Sequence, residues 1–102
     1  MGQWVKCFGE SDLAVGKAKS AEAAGIKIAV CRLEDGIFAI EDICTHDGGA
    51  LDQGELLGDR IECPRHGALF DVRTGAVLSL PAVKNVRSFP VKVEGGAIFV
   101  EV

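Results

Sequence analysis

The stretch Ile26–Asp42, IKIAVCRLEDGIFAIED, contains two β-prone runs on either side of a turn. Ile26–Leu33 begins with alternating apolar and polar residues, and Ile37–Asp42 returns after the turn Glu34–Gly36. An Asp-Gly pair between two such runs is a strong local signal for a β-hairpin, because glycine accepts the positive φ that the turn needs. The stretch therefore predicts an antiparallel hairpin near the centre of the chain.

Similar runs lie on both sides of this hairpin. Five of them are predicted strands: Trp4–Phe8, Arg60–Cys63, Ala68–Val72, Val86–Glu94 and Ala97–Val102, with Ala76–Leu80 as a further candidate after the turn RTG. Ala18–Gly25 has helix-forming residues but spans only about two helical turns, so a loop or a single turn is predicted there. Short strands at such intervals predict an all-β protein, an antiparallel sandwich or small barrel. We expect a single domain over residues 1–102.

The composition narrows the class of protein further. The chain has 102 residues, of which 48% are hydrophobic and 25% charged, and its net charge is −4. Such a chain can bury a core without disulfides, and its acidity argues against a nucleic-acid partner. No signal peptide or membrane-spanning run is visible, so neither export nor membrane attachment is expected. A cytoplasmic location, where cysteines stay reduced, is the prediction.

The negative charge is concentrated in one part of the chain. Seven acids and one base lie between Glu41 and Glu62, a local balance of −6. The acids are Glu41, Asp42, Asp47, Asp52, Glu55, Asp59 and Glu62, and the base is Arg60. Two interpretations stay open: a solvated face without a special role, or an acidic surface that steers a basic partner.

Both histidines of the chain lie close to cysteines. The stretches are CTHDGG, Cys44–Gly49, and CPRHGA, Cys63–Ala68, and both interrupt the strand pattern as loops do. Cys7 and Cys31 instead lie within strand-like runs without a neighbouring histidine, so they are assigned to the core, as are Trp4 and Phe70. Two thiols and two imidazoles supplied by two loops predict a metal centre made of Cys44, His46, Cys63 and His66.

The spacing bears on which metal is bound. The pairs are Cys-x-His and Cys-x-x-His, and sixteen residues separate them. A structural zinc site is possible, although its ligand pairs are usually two cysteines or two histidines at other spacings. A binuclear iron cluster suits mixed pairs better, since each loop then gives its cysteine to one iron and its histidine to the other. The spacing favours the cluster without excluding zinc.

The residues carry a specific resemblance. CTH with Leu51 and Gly54 after it, and CPRHGALFDVRTG over Cys63–Gly75, resemble the two cluster loops of Rieske proteins. The chain is most similar to the small Rieske-type ferredoxins of bacterial aromatic-ring-hydroxylating dioxygenase systems. This resemblance implies the Rieske fold, in which a two-loop subdomain binds the cluster, and a loop containing Pro81 that covers it.

The resemblance also implies the cofactor and its ligands. It implies one [2Fe–2S] cluster, with Cys44 and Cys63 on the inner iron and His46 and His66 on the outer one. High-potential relatives have a disulfide between the cluster loops and a serine after the second His-Gly. Here the disulfide positions are Gly49 and Arg65 and the serine position is Ala68, so a potential at the low end of the Rieske range is predicted.

The implied function is that of an electron carrier rather than an enzyme. By resemblance, the chain would accept single electrons from a flavin-dependent NAD(P)H ferredoxin reductase and deliver them to a terminal ring-hydroxylating oxygenase, working as a monomer. Two alternatives stay open. One is a small Rieske subunit of another redox system, such as an assimilatory nitrite reductase, and the other is a zinc-stabilised interaction module without a redox role.

Overall fold

The fold is built from short antiparallel strands. A computed structural model describes residues 2–45, 48–65 and 67–102. The strands are β1 Trp4–Gly9, β2 Lys17–Ala23, β3 Ile26–Leu33, β4 Gly36–Glu41, β5 Glu55–Leu57, β6 Arg60–Glu62, β7 Leu69–Asp71, β8 Ser88–Phe89, β9 Val91–Glu94 and β10 Ala97–Glu101. Two 3₁₀ turns, Glu10–Asp12 and Leu51–Gln53, complete the regular structure.

These strands form three antiparallel sheets. The outer sheet has the order β1-β10-β9, the central sheet β2-β3-β4-β8, and the small sheet β5-β6-β7. The all-β, antiparallel fold class predicted from the sequence is therefore confirmed. Within the described residues there is no helix long and apolar enough to cross a membrane.

Strand β3 is buried on both of its faces. Ile28 and Val30 belong to a base core that lies between the central and outer sheets and includes Ile98 and Val100. The alternate residues of β3 belong to a loop core on the opposite side of the central sheet. The loop core contains Ala29, Cys31, Leu33, Ile40, Cys44, Leu51, Ile61, Cys63, Ala68, Phe70, Val72, Ala82 and Val86. The central sheet is thus the middle layer of three, and the continuous apolar run IAVC suits a strand covered on both sides.

The predicted hairpin is confirmed, but Gly36 begins β4 and does not take the positive φ that was expected of it in the turn. Strands β3 and β4 pair from Ile28↔Glu41 to Leu33↔Gly36, and the two residues Glu34 and Asp35 connect them. The C-terminal hairpin of β9 and β10 is also present, with Ala97 paired to Glu94. Pro90 separates β8 from β9, because proline has no N–H to give to a ladder.

Three expectations about secondary structure need correction. The predicted loop over Ala18–Gly25 is largely strand β2, whose seven residues all pair with β3. Its alanines have high helix propensity, but pairing along β3 and burial of Ala23 outweigh that small preference. Strand β5 was not predicted, and Ala76–Leu80 forms only an isolated bridge, between Val77 and Phe70, instead of a strand.

The two aromatic residues assigned to the core differ in outcome. Phe70 is fully buried in the loop core, as predicted. The prediction for Trp4 is wrong, since its side chain is 38% exposed on the outer sheet. The ammonium group of Lys92 lies 4.6 Å from the centroid of the Trp4 ring. Trp4 therefore makes a cation–π contact at the surface instead of packing in a core.

Candidate metal centre

Two loops with the same backbone closure present the two loop cysteines. The amide of Cys44 donates to the carbonyl of Gly49 at 2.7 Å, and the amide of Gly48 donates back to the carbonyl of Cys44 at 2.7 Å. In the second loop Cys63 donates to Ala68 at 2.8 Å, and Gly67 donates to Cys63 at 3.0 Å. The backbone of each cysteine is therefore hydrogen-bonded to the residues four and five positions later. The two loops are equivalent in this backbone hydrogen bonding, although their histidines are spaced differently.

A glycine with a positive φ makes each closure possible. Gly48 has a φ of 78° and Gly67 a φ of 77°, a left-handed conformation that residues with a Cβ adopt at a cost. Both glycines occupy the fourth position after the loop cysteine. If the two loops are aligned by their histidines, Cys-x-His against Cys-x-x-His, the glycines do not coincide. If the loops are aligned by their cysteines, the two glycines occupy the same position.

The cysteines of the two loops lie in the same buried environment. Cys44 and Cys63 are each 1% exposed, and both belong to the loop core. Both are thiols rather than halves of a disulfide. Two buried thiols on equivalent loops, in a core that excludes water, form a donor set that fits a thiolate-bound iron site.

The other two cysteines suit the core role predicted for them. Cys31 is fully buried on β3, and burial raises the pKa of its thiol to about 12, with Asp42 and Asp52 adding to the effect. Such a thiol stays protonated at neutral pH and is a poor metal ligand. Cys7 is half-buried beside the base core, and burial raises its pKa as well.

The predicted histidine ligands, His46 and His66, lie outside the described residues, as does Asp47. Their neighbours in sequence are described: Thr45 follows Cys44, and the exposed Arg65 precedes His66. The structure thus brings together the cysteine half of the predicted ligand set.

A segment that contains Pro81 connects the two loops. At its start, Leu78 donates its amide to Leu69 at 2.7 Å, and the hydroxyl oxygen of Ser79 accepts the amide of Leu69 at 3.0 Å. At its end, the Thr45 hydroxyl donates to the carbonyl of Lys84 at 2.6 Å. We call residues 78–84 the strap, since it runs from the end of the second loop to the first.

The strap is also joined to the loop core. Ala82, next to Pro81, is 2% exposed and packs among the same residues as Cys44 and Cys63. Beyond the strap, the amide of Val86 donates to the carbonyl of Gly75 at 2.8 Å. Pro81 therefore lies in a segment that bridges the two loops, and its role in covering a cluster stays a prediction.

Two polar side chains, whose roles sequence reasoning missed, hold the small sheet in place. The buried carboxylate of Asp42 accepts the amide of Asp52 at 2.8 Å, and burial together with the neighbouring Asp52 carboxyl raises the pKa of Asp42 to about 6. The guanidinium of Arg73 pairs with Asp35 at 2.9 Å and with Asp59 at 3.8 Å. Arg73 thus links the β3–β4 turn to the β5–β6 turn; in the sequence it was visible only as part of RTG.

Two acids of the acidic run make contacts within the described part of the chain. Asp42 is buried, and Asp59 is paired with Arg60 and Arg73 at the end of β6 that lies away from Cys63. Glu55 and Glu62 face each other across the β5–β6 pair. Two of the seven acids therefore serve the fold, which weakens the interpretation of the run as a steering surface.

The chain matches a known family over most of its length. Residues 3–90 match the profile of the Rieske [2Fe-2S] domain. The chain is 32% identical over 99 residues to the ferredoxin component of the naphthalene 1,2-dioxygenase system of Pseudomonas putida. That alignment covers 97% of this chain and 95% of the relative.

Solved structures agree with the sequence comparisons. The ferredoxin of carbazole 1,9a-dioxygenase from Nocardioides aromaticivorans IC177 superposes with a TM-score of 0.91 at 36% identity, covering 96% of both chains. A chain in the complex of reduced oxygenase and oxidized ferredoxin in carbazole 1,9a-dioxygenase gives a TM-score of 0.89 at 39% identity. That match covers 95% of this chain and 91% of the other.

These matches settle the choice of cofactor that the spacing left open. A family defined by a [2Fe–2S] cluster, with relatives that are ferredoxin components, replaces the zinc-stabilised module. The equivalent loops with buried thiols at Cys44 and Cys63 fit such a cluster. The chain therefore belongs to the Rieske [2Fe–2S] family and is a small electron carrier with a Rieske-type cluster.

Proposed function

We propose that this chain carries single electrons from a flavin-dependent NAD(P)H reductase to the terminal oxygenase of an aromatic-ring-hydroxylating dioxygenase system. The similar proteins from Pseudomonas putida and Nocardioides aromaticivorans are components of such systems, and one similar structure is a complex with an oxygenase. The observation that carries the proposal is the pair of equivalent loops with buried thiols at Cys44 and Cys63.

The ligand assignment is part of the same proposal. Cys44 and Cys63 would hold one iron as thiolates, and His46 and His66 would hold the other. A cluster bound in this way accepts and returns one electron, at a potential of about −150 to +300 mV. Two imidazoles in place of two thiolates make the core less negative, so adding an electron costs less.

Other residues of the chain bury the two cysteines of this site and fix their backbone. The loop core keeps water away from Cys44 and Cys63, and the closure at Gly48 and Gly67 fixes the backbone on which the thiols stand. Ala68 is fully buried and brings no hydroxyl to the site. A site without that donor favours a potential in the lower part of the range, which a nicotinamide-fed flavin can reach.

The proposal also includes the location, oligomeric state and domain organisation of the carrier. It works in the cytoplasm as a monomer, with residues 1–102 forming one domain. The family match over residues 3–90 and the shared β3 strand, which joins the base core to the loop core, support a single unit. No described residue separates this function from the nitrite reductase alternative, but the similar proteins are ferredoxin components of dioxygenase systems, which favours the first function.

Reconstitution tests this function. Purified chain is mixed with candidate reductases, candidate ring-hydroxylating oxygenases, NAD(P)H and an aromatic substrate, and product is measured with and without the chain. We expect two irons and two acid-labile sulfides per chain, a spectrum typical of mixed His/Cys ligation, and product formation that requires the chain. His46→Ala and His66→Ala should each abolish the native visible spectrum.

A conservative substitution in the core provides the control. Cys31→Ala alters a buried cysteine that is not a proposed ligand, so it should keep both iron content and spectrum. A colourless protein with a single ion, or product formation that does not depend on the chain, would contradict the proposed function.

A further inference from the structure

Asp42 is a buried acid beside the first cysteine loop, and the described residues give it no cation. It is 6% exposed, the one polar or charged residue that is buried in the described part of the chain. The ion pairs between described residues involve other acids, and a side chain that contacts the Asp42 carboxyl is the acid Asp52. Burial of a carboxyl group is unfavourable unless hydrogen bonds compensate for the lost water. The partners of those hydrogen bonds therefore indicate what Asp42 does.

The hydrogen bonds of Asp42 join the two ends of the first loop. The amide of Asp52 donates to the Asp42 carboxylate at 2.8 Å, and the backbone of Leu51 is bonded to the same carboxylate. These two residues begin the 3₁₀ turn Leu51–Gln53, which has no side-chain cap from the residue before it and whose first amides need a partner. Asp42 lies two residues before Cys44, and the turn begins two residues after the loop ends. One side chain therefore ties the chain before the loop to the chain after it.

The second loop is closed in a different way. Its ends lie in strands β6 and β7, which pair directly at Glu62↔Leu69 and Ile61↔Phe70. The corresponding ends of the first loop do not pair with each other in the described part of the chain, since β4 ends at Glu41 and pairs with β3 and β8. The backbone bonds inside the two loops are equivalent, but a strand ladder closes the base of the second loop and a carboxylate closes the base of the first.

From this contrast we propose that Asp42 is a positioning residue of the metal centre, which closes the first cysteine loop and thereby holds the proposed ligands Cys44 and His46 in place. The inference rests on the proposed function, since it assigns to Asp42 the support of the proposed ligands. The acceptor oxygen of Asp42 performs this role, because the groups that it binds are backbone amides. The first loop is therefore the half of the site that opens first when this closure is removed.

Two substitutions at this position test the role of the acceptor oxygen. Asp42→Ala removes the acceptor, whereas Asp42→Asn keeps an oxygen for the Asp52 amide and offers an N–H to the Asp52 carboxyl. Each holoprotein is incubated with an iron chelator, and the decay of visible absorbance is followed. We expect Asp42→Ala to lose its cluster about tenfold faster than the wild type, because buried amides lose their partner, and Asp42→Asn to stay within about twofold of the wild-type rate. A rate for Asp42→Ala within about twofold of the wild type would overturn the proposal.

Hydrogen exchange and electron paramagnetic resonance show whether the effect is confined to the first loop. In the Asp42→Ala holoprotein, exchange measured by mass spectrometry of peptides should become about tenfold faster over residues 42–53 and stay unchanged over residues 60–72. The resonance of its reduced form should be broadened, because a loosened loop holds its ligands in a range of orientations. Asp42→Asn should restore the narrow resonance. Equal acceleration of exchange in both loops, or an unaltered resonance of Asp42→Ala, would assign to Asp42 a role in stability alone.

Asp71→Ala is the matched control. The Asp71 carboxylate also accepts backbone amides, from Arg73 at 2.7 Å and from Thr74 at 3.3 Å, but it caps the turn after β7 instead of closing a cysteine loop. The control therefore removes the same chemical group from the same side of the central sheet. Its resonance should match that of the wild type, and its rate of cluster loss should stay within about twofold. If Asp71→Ala broadens the resonance and releases the cluster as Asp42→Ala does, the assignment of Asp42 is wrong.

The remaining outcomes also decide the question. If Asp42→Ala assembles no cluster while β3 and β10 keep their protection from exchange, and Asp42→Asn assembles normally, the proposal stands. If Asp42→Ala loses protection in β3 and β10 as well, Asp42 supports the whole fold and the proposal is wrong. If Asp42→Asn loses its cluster as fast as Asp42→Ala, the negative charge matters instead of the acceptor oxygen, and the proposal is equally wrong. If the wild-type holoprotein contains no two-iron cluster, the proposed function itself fails.

Discussion

The base core and the loop core lie on opposite sides of the same central sheet, but they are held together in different ways. The base core is closed by long ladders, of which the β2–β3 pair alone has seven registered residue pairs. The loop core is closed by β5, β6 and β7, each three residues long, and by loops. Polar contacts at Asp42, Thr45 and Arg73 supplement those short ladders. The base core is thus held mainly by strand pairing, whereas the loop core relies on short ladders and a few polar contacts.

Removal of the cluster should produce the largest difference in stability between the base core and the loop core. Chelation under reducing conditions would leave the two proposed thiol ligands without their ions, and metal binding is part of the folding free energy of a metal domain. We expect amide hydrogen exchange to become fast over residues 44–86 while β3 and β10 keep most of their protection. Reconstitution with iron and sulfide should restore the slow exchange. Equal loss of protection in both layers would show that they are one cooperative unit.

The same substitution, isoleucine to alanine, can be made in each of the two cores. Ile61 in the loop core and Ile98 in the base core are both fully buried. Replacement of either by alanine should reduce the free energy of unfolding by about 3 kcal/mol, because each leaves a cavity. Only Ile61→Ala should accelerate loss of the cluster, measured as the decay of visible absorbance with chelator present. Equal decay rates for both variants would contradict the separation of the two cores.

Gly54 tests a close backbone approach that only the loop layer needs. A Cβ on Gly54 would overlap the carbonyl oxygen of Glu62, at the joint between the Leu51–Gln53 turn and the small sheet. Gly54→Ala should therefore cost about 2 kcal/mol of stability and weaken cluster retention. At Gly36, in strand β4, the nearest side-chain atoms would lie at 3.4 Å, in ordinary contact. Gly36→Ala should change the denaturant midpoint much less, and a larger effect there would be unexpected.

Arg73 should give the smallest effect. Its ion pairs with Asp35 and Asp59 are solvent-exposed and screened, and its guanidinium also lies 4.9 Å from the centroid of the Phe38 ring. Arg73→Gln should reduce stability by about 1 kcal/mol or less, with the reduction potential unchanged. Faster hydrogen exchange near the β5–β6 turn is the sharper measurement. Arg60→Gln, which removes a looser pair at 3.9 Å, should change neither quantity measurably.

Local sequence signals predicted the base better than the loop layer. The central hairpin and the C-terminal hairpin could be predicted because apolar runs act over a few residues, although Gly36 does not have the positive φ expected of it in the first turn. Strand β2 was missed since its alanines carry a weak helical preference that distant pairing reverses. Strand β5 has three residues, too few for a periodic signal.

Some features of the site could also be predicted from the sequence, and others could not. The cysteines were predicted as ligands from their spacing to the histidines; both are buried in the loop core, and their role as ligands stays a prediction. Thr45 and Ser79 were missed, because a hydroxyl that reaches a backbone group 39 or 10 residues away has no local signature. The exposure of Leu80 and Val83 was equally hidden, since an apolar residue in a short run normally predicts burial.

The sequence by itself determined the all-β character, the hairpins and the family to which the chain belongs, because turn residues and ligand spacing are local features of the chain. Only the tertiary structure decided that β3 is buried on both faces, that the two cysteine loops close in the same way, and that the strap turns Leu80 and Val83 outward. Those features depend on contacts between residues far apart in the chain. Their energies appear only when the three sheets are assembled.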